Sequence, residues 1–496
     1  MFNRSFFIIL FFILCRVPGW GQESVWQQKV DFSFQDIRVE QLIDTLSALY
    51  EINFAYDAGI LSLDSVVTTS CSGMLLSQWI HNFFGITGAE VSLLDQQIVI
   101  GKPRGKFNLN TSMRIVGTVK QYATGEPLGM VNIGVVDYPI GTVTNDRGDF
   151  EIILPNSYVG EILSFSHLGF LSKRMQIPAS DTLLTVLLPE SAVNLPEVEV
   201  KYMNPVHIIE QMIRNIGMNY PSDPYFLTAF FRETIRQDGK YVDISEAVIE
   251  VYKPSYQNTF DMERARFIKG RKGKEVSEMD LVNFKLEGGP YHFSRLDVVR
   301  QGDFFPGDDK SFIYVYSLEG MGIEQDKMVY RVKFRPREDN DDLLYQGELR
   351  IDSESFALVS AVFELTPSSI RRSRNYLIKR DARRFKTRPY FARYVVDYRP
   401  WGSLWVLNRV RGEVSMRITD KSSGARSDIQ TVSEMVVSDL TRAEGHPRVR
   451  GNEMFKADYV LSETITDFDP DFWKDYNIIR PDEALEKVFS ADHNKQ

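Results

Sequence analysis

Residues 329–365 read VYRVKFRPREDNDDLLYQGELRIDSESFALVSAVFEL. Apolar side chains fall on alternate positions at Val332 and Phe334 and again at Leu349 and Ile351, with charged residues between them. A period of two is the mark of strands with one buried and one wet face. Polar, acidic breaks divide the stretch into three strands, 327–334, 344–351 and 357–365. Working outward, the same character returns upstream at 226–236, 241–252 and 312–318. It returns downstream at 391–398, 404–418 and 430–439. Gln237-Asp238-Gly239-Lys240 is a hairpin signal between the first two of these. Long antiparallel strands in succession predict a large curved antiparallel sheet, half-barrel-like, wrapping one apolar interior, with a few helices. One helix is expected over 206–216. This β-rich region spans 203–496.

Composition bounds the rest. The chain has 496 residues, with charged residues at 25% and aromatics at 12%, which is folded material able to form several domains. A net charge of −9 argues against nucleic-acid binding. The first 22 residues, MFNRSFFIILFFILCRVPGWGQ, carry Arg4, then the apolar stretch 5–15, then Pro18 and small residues at Gly19 and Gly21. That is the pattern of a secretory signal peptide, with cleavage expected after Gly21 or Gln22. Eleven residues rise only about 16 Å as a helix, too short for a bilayer core of about 30 Å. A lipid-anchor reading would use Cys15, but Phe12 and Leu14 are poor flanks for it. After cleavage Cys71 is the remaining cysteine, so no intramolecular disulfide is expected and the thiol reads as a core residue.

A first module is expected over 27–101. Residues 30–34 alternate as a strand. Val39, Leu42, Ile43, Leu46 and Leu49 then share one face of a helix over 39–50. Strands at 52–56 and 66–71, a helix over 74–84, and a hairpin of 91–94 with 97–100 complete a small βαβ sandwich. The segments VDFSFQDIRVEQLIDTLSALYEINFAYD (30–57) and MLLSQWIHNFFGITGAEVSLLDQQIVI (74–100) resemble the secretin and TonB-receptor short N-terminal domain. The resemblance implies a periplasmic protein–protein adaptor. In transducing receptors such a domain passes a signal to an anti-sigma regulator.

A second module is expected over 113–200. Short strands at 114–120, 131–136, 142–144, 150–154 and 162–167 are separated by turns, as in a β-sandwich. Asn145 to Asp149 has the chemistry of a tight turn, and its Arg147-Gly148-Asp149 is read as turn and not as an adhesion motif. The strings IVGTVKQYATGEPLGMVNIGV (115–135), IGTVTNDRGDFEI (140–152) and LSFSHLGF (163–170) resemble the carboxypeptidase-regulatory-like domain. That implies a seven-stranded transthyretin-like sandwich without catalytic function.

Residues 329–365 themselves resemble the half-barrel of lipoprotein carriers. The three modules in order resemble uncharacterised envelope proteins. Their expected role is a non-enzymatic adaptor in the periplasm, associated with the outer membrane. The expected partners are a TonB-dependent transporter or an anti-sigma regulator. The alternative is a carrier that holds a lipid or other apolar ligand in the C-terminal sheet.

Candidate chemistry is sparse. His207-Ile208-Ile209-Glu210 matches the H-x-x-E spacing of zinc carboxypeptidases, but such a site needs a third ligand and a base, and His292 lacks the surroundings for one. No catalytic residue, cofactor or metal site is expected. The acidic runs 338–342 and 467–471 offer hard oxygens for Ca²⁺ but read as surface turns. Residues 371–388 (RRSRNYLIKRDARRFKTR) hold nine basic residues and one acidic residue. Arg371, Arg372, Arg374, Lys379, Arg380, Arg383 and Arg384 form a candidate patch for anionic lipid or an acidic partner. The competing reading is a solvated loop.

Overall fold

The structure is a computed structural model. It describes residues 29–493 apart from 51, 57–62, 86–89, 95–96, 102–111, 192–202, 259, 275–284, 287–288, 307–312, 339–341, 381–383, 444–453, 457–458, 460, 466–472 and 474–475. The signal peptide, the acidic run 467–471 and most of the run 338–342 therefore lie outside the described residues. The chain divides into two compact units, Met1–Lys106 and Phe107–Gln496. It is a mainly β, multidomain chain.

The first unit runs β1 (Lys29–Arg38), α1 (Val39–Tyr50), β2 (Asn53–Tyr56), β3 (Val66–Leu75), α2 (Leu76–Gly85), β4 (Glu90–Leu94) and β5 (Gln97–Gly101). Strand β1 pairs with β3, and β2, β5 and β4 form a second small sheet. The stripe Val39, Leu42, Ile43 and Leu46 is buried with Trp79, Ile80 and Phe84 of α2. Leu49 sits at the margin of that stripe and is 60% exposed, unlike its expected place on the buried face. Cys71 is buried in this core.

The second unit begins with the sandwich: β6 (Ser112–Gln121), β7 (Asn132–Val135), β8 (Gly141–Val143), β9 (Asp149–Pro155), β10 (Ile162–Ser166), β11 (Lys173–Gln176) and β12 (Thr182–Leu188). Three strands (β12-β6-β9) face four (β11-β10-β7-β8), making the expected seven. Alternate residues Met113, Ile115 and Val119 of β6 and Phe150, Ile152 and Leu154 of β9 fill the space between the sheets. Gly117 breaks the β6 series because the Phe150 ring lies over it: a Cβ there would stand 2.8 Å from that ring. The turn at 145–149 forms as its residues dictate. Asn145 Oδ1 accepts from the Arg147 and Asp149 amides at 3.0 and 2.9 Å, and Gly148 takes φ +75°.

The remainder runs α3 (Pro205–Arg214), α4 (Ile216–Asn219), β13 (Tyr225–Gln237), β14 (Lys240–Lys253), β15 (Arg264–Lys274), β16 (Lys285–Leu286), α5 (Gly289–Arg295), α6 (Val298–Gln301), β17 (Tyr314–Glu324), β18 (Lys327–Pro336), β19 (Tyr345–Asp352), β20 (Leu358–Leu365), α7 (Pro367–Arg372), α8 (Arg374–Leu377), β21 (Ile378–Arg380), β22 (Phe385–Trp401), β23 (Leu404–Asp420), β24 (Arg426–Arg442), α9 (Leu461–Thr464) and α10 (Glu483–His493). Ten strands form one open antiparallel sheet in the order β15-β14-β13-β24-β23-β22-β20-β19-β18-β17. One face packs against Ile208, Ile209 and Met212 of α3, Phe293 of α5, Val298 and Val299 of α6, and Phe304.

The middle strands are buried on both faces. Leu227, Ala229 and Phe231 of β13 join the helix-side core, while Phe230 between them joins Val248, Val436, Trp473, Ile479 and Val143 of the sandwich on the other side. Double burial explains why 226–231 and 435–437 read as near-continuous apolar runs instead of alternating ones.

Candidate functional site

The described residues of the basic run, 371–380 and 384–388, lie mostly in α7, α8, β21 and the start of β22. Thr366 caps α7 by accepting from the Ser369 amide at 3.2 Å, with Pro367 at the first helical position. Ile370, Leu377, Ile378 and Phe385 between the arginines are buried, so the run is drawn onto the core in short helical turns and then becomes the longest class of strand in the sheet. Among the described residues the run is thus helix and strand where a loop was expected, while Arg371 and Arg372 stay solvated.

Its cations are divided. Arg371 and Arg372 are exposed, and Arg372 donates to the Asp342 carbonyl at 3.0 Å. Arg374 donates to Thr387 Oγ1 at 2.9 Å. Arg384 forks onto Asp420 Oδ2 at 2.8 and 2.6 Å. Hydrogen bonds from Ser422 and from Arg384 hold the Asp420 carboxyl well below its ordinary range. Lys379 and Arg380 lie in β21, but their side chains, and all of Arg383, are outside the described residues.

A second basic surface lies where no contiguous run points to it. On the side of the sheet away from the helices, Arg331, Lys333 and Arg335 of β18 stand at alternate positions beside Glu348 and Arg350 of β19. Arg331 binds Glu348 through both nitrogens at 3.1 and 2.8 Å, Lys333 meets Glu319 at 2.8 Å, and Arg350 meets Glu348 at 2.8 Å. A groove of about 710 Å³ opens over this ladder. Arg335 and Arg393 of β22 line it and are exposed, and neither has an ion pair among the described residues. Arg335 stands there without an ion pair among the described residues, and Arg393 lies directly across the ladder from Glu364 of β20, so the groove presents planar guanidinium groups suited to carboxylates alongside acidic neighbours. The alternation of 331–335 was the available signal; that β22 lies beside β20 was not legible.

The densest cluster of charge is sealed in the core. Lys253, at the end of β14, is fully buried, and its Nζ lies 2.8 Å from Asp297 Oδ2 and 2.9 Å from Glu263 Oε1. Tyr398 and Tyr256 each donate to Asp297 at 2.7 Å, and Arg300 Nε meets Glu263 at 2.9 Å. Burial pushes the Asp297 carboxyl up, but Lys253 and the two phenols outweigh it and hold it below its ordinary value. Burial likewise opposes the ammonium of Lys253, yet Asp297 and Glu263 hold its pKa above the usual lysine range. Each charge meets an opposite one, and the Asp297 oxygens are further satisfied by the two phenol hydroxyls. The cluster ties β14, the segment before α6 and β22 together.

Glu233 of β13 differs: burial, and then the nearby Asp243 charge, push its pKa up to about 7, while Ser433 donates to it at 3.1 Å. A raised folded-state pKa means the folded protein binds the proton more tightly than the unfolded chain. Stability is therefore highest below the unfolded value of about 4.3 and declines as pH rises through about 7. Glu233→Gln should remove that decline. Urea midpoints measured from pH 4.5 to 8 should be flatter in the variant and higher than wild type at pH 8; parallel curves would refute the assignment.

His207 and Glu210 lie on the exposed side of α3, whose N-cap Asn204 accepts from the Val206 amide at 3.0 Å. His207 Nδ1 is 3.8 Å from Glu210 Oε2, which also faces Arg214 at 3.7 Å. Among the described residues no three His, Cys, Asp or Glu side chains converge as a metal site. No helix of the described residues is long and apolar enough to cross a membrane.

Comparison with known proteins gives one family assignment, for part of the chain. No curated protein matches it. Among solved structures, a putative outer membrane lipoprotein-sorting protein domain from Vibrio parahaemolyticus is 9% identical, covering 49% of this chain and 96% of that one with a TM-score of 0.23. A DUF1329 family protein from Desulfovibrio piger is 13% identical, covering 49% and 96% with a TM-score of 0.23. The Pseudomonas aeruginosa MucA/MucB complex is matched at 10% identity, covering 49% and 100% with a TM-score of 0.16. TM-scores this low establish no common fold. Residues 115–200, a span that takes in most of the seven-stranded sandwich, match the family model of the CarboxypepD_reg-like domain.

Proposed function

We propose that this chain is a non-enzymatic adaptor of the cell envelope, exported to the periplasm, associated with the outer membrane and linked to TonB-type transport or signalling. The observation that carries the reading is the first unit. Its elements follow the order β-α-β-β-α-β-β with both helices packed by their apolar faces into one core, the organisation implied by resemblance to the secretin and TonB-receptor short N-terminal domain. The groove lined by Arg335 and Arg393 is the surface of the second unit that we assign to an acidic segment of the partner, on charge complementarity. The carrier alternative needs apolar space within the curved sheet. Side chains of α3, α5 and α6, with Phe304, occupy its helix-side face instead, so the adaptor reading stands first.

Cross-linking the full chain in intact envelopes and isolating it should recover a TonB-dependent transporter or an anti-sigma regulator, with cross-links mapping to residues 29–101. Recovery of neither sinks the proposal. Arg335→Glu with Arg393→Glu should weaken that recovery about tenfold or more, because two attractive contacts become repulsive. Mass analysis of the isolated protein should show loss of residues 1–22, and retention of them would remove the argument for export. Stoichiometric zinc in the same sample would revive the peptidase reading at His207 and Glu210; substoichiometric zinc is expected. A co-purified apolar ligand in native mass spectrometry would put the carrier reading first.

A further inference from the structure

Between the sandwich and the large sheet lies a small pocket of about 130 Å³. The volume is several times the ~30 Å³ that a water occupies in the liquid. The sandwich contributes Ser164 and Ser166 from β10, Ser172, and the backbone of β7; the sheet contributes Arg399 from β22 and Asn408 from β23. Gly134 of β7 and Gly141 of β8 stand opposite each other in the ladder. Their missing side chains make the slot that the Arg399 guanidinium occupies: a Cβ on Gly141 would lie 2.8 Å from its NH1, and one on Gly134 would lie 3.6 Å from it.

Arg399 is undercompensated in this position. Its NH2 donates to the Pro139 carbonyl at 2.6 Å. Its Nε is fully covered and has no hydrogen-bond partner. Burial pulls its pKa down to about 10, with only Asp439 acting the other way. The other cation at the pocket, Arg174, is matched to Asp326 at 3.1 Å, and Asp137 at the wall forms no ion pair with Arg399. A half-buried guanidinium whose Nε is covered and whose partner is one carbonyl is costly to keep charged, and it stays charged at neutral pH. No carboxylate of the described residues is paired with Arg399, although Asp137 and Asp326 stand in the wall, and Ser164, Ser166 and Ser172 line the space beside it.

We infer that the pocket between the sandwich and the large sheet binds a small oxyanion, of carboxylate or phosphate size, on the Arg399 guanidinium and the hydroxyls of Ser164 and Ser166. The site bridges two modules, so occupancy also strengthens their junction.

Thermal unfolding and isothermal titration of the full chain would test this with inorganic phosphate and, in parallel, acetate, at ionic strength held constant by chloride. Phosphate or acetate should raise the unfolding temperature saturably, by about 3 °C at a hundredfold excess over Kd. A response to phosphate alone assigns a tetrahedral ion, and a response to acetate alone assigns a carboxylate. Arg399→Gln should abolish binding. Because that variant also loses the Pro139 contact, Ser164→Ala with Ser166→Ala serves as a milder probe and should weaken binding at least threefold. Absence of saturable binding of either ion to the wild type overturns the proposal. So does binding unchanged in the serine double variant or retained in Arg399→Gln.

Discussion

Lys253→Met should lower the unfolding free energy of the second unit by about 3–5 kcal/mol, the range for removing one partner of a buried ion pair. The methionine fills nearly the same volume, so the loss reports charge and not packing. Asp297 would keep its two phenolic donors at 2.7 Å but lose the ammonium at 2.8 Å. Glu263 would keep Arg300. The uncompensated group is therefore Asp297, and adding Asp297→Asn to Lys253→Met should restore part of the loss. The pH dependence has a definite sign. In the wild type the depressed Asp297 carboxyl contributes stability that is full above the unfolded value of about 3.9 and is lost as pH falls through its lower folded value. Without the ammonium, burial raises the same carboxyl, so the variant recovers as it protonates. The gap between the two proteins should narrow on acidification. Urea unfolding followed by tryptophan fluorescence at pH 7 and pH 4 measures both effects; a gap under about 1 kcal/mol at pH 7, or one that widens toward acid, would sink the argument.

That network shows where sequence reading stops. Periodicity located α1 and most of the strands because each reports its own burial over a few residues. The turn at 145–149 was legible because Asn145 and Gly148 satisfy it locally. Strand β15 was missed because 264–274 reads RARFIKGRKGK, where charged residues outnumber the buried ones that fix it, such as Ala265. β11 and β12 were missed for opposite reasons: one is short and polar, the other an apolar run without alternation. Strand order was not legible at all. β24 lies between β13 and β23, so a hairpin near residue 238 is completed by a strand some 190 residues later in the chain. The basic run 371–388 drew notice because its cations are contiguous, and contiguity is what the fold undoes: Arg384 turns to Asp420, whereas Arg335 and Arg393, far apart in sequence, reach one groove. Lys253 ends a strand and looks solvated, and only the tertiary fold brings Asp297 to it.

The chain's last segment should prove as important to the junction as any strand. Asn477 is buried and pairs with both backbone groups of Ile153, accepting from its amide at 2.7 Å and donating to its carbonyl at 3.2 Å. Next to it the Ile478 carbonyl accepts from Thr142, the Ile479 carbonyl from Arg232, and the Arg480 carbonyl from Asn145. The segment thus lies between the sandwich and the sheet, bonded to both. Beneath it Glu246 is fully buried between Arg232 and Arg271 at 2.6 Å each, and Arg271 lies under the Trp473 and Phe489 rings at 4.9 and 4.1 Å. Asn477→Ala leaves a buried amide and a buried carbonyl unpaired, and at about 1–3 kcal/mol for each such group the expected loss is about 2–6 kcal/mol. Adding Trp473→Ala strips the apolar cover from Phe230, Val248 and Val436, at a further cost of about 3–5 kcal/mol. Because these contacts join two modules, their loss should change the form of unfolding as well as its midpoint. Wild-type residues 107–496 belong to one compact unit, and their unfolding should follow one transition. The double variant should show two, with the sandwich separating from the sheet and the 473–493 segment cut early in limited proteolysis. A double variant that still unfolds in one transition, with the segment as resistant as in wild type, would show that direct contacts such as Asn408 to Asn132 and Arg409 to the Met130 carbonyl suffice to couple the two modules.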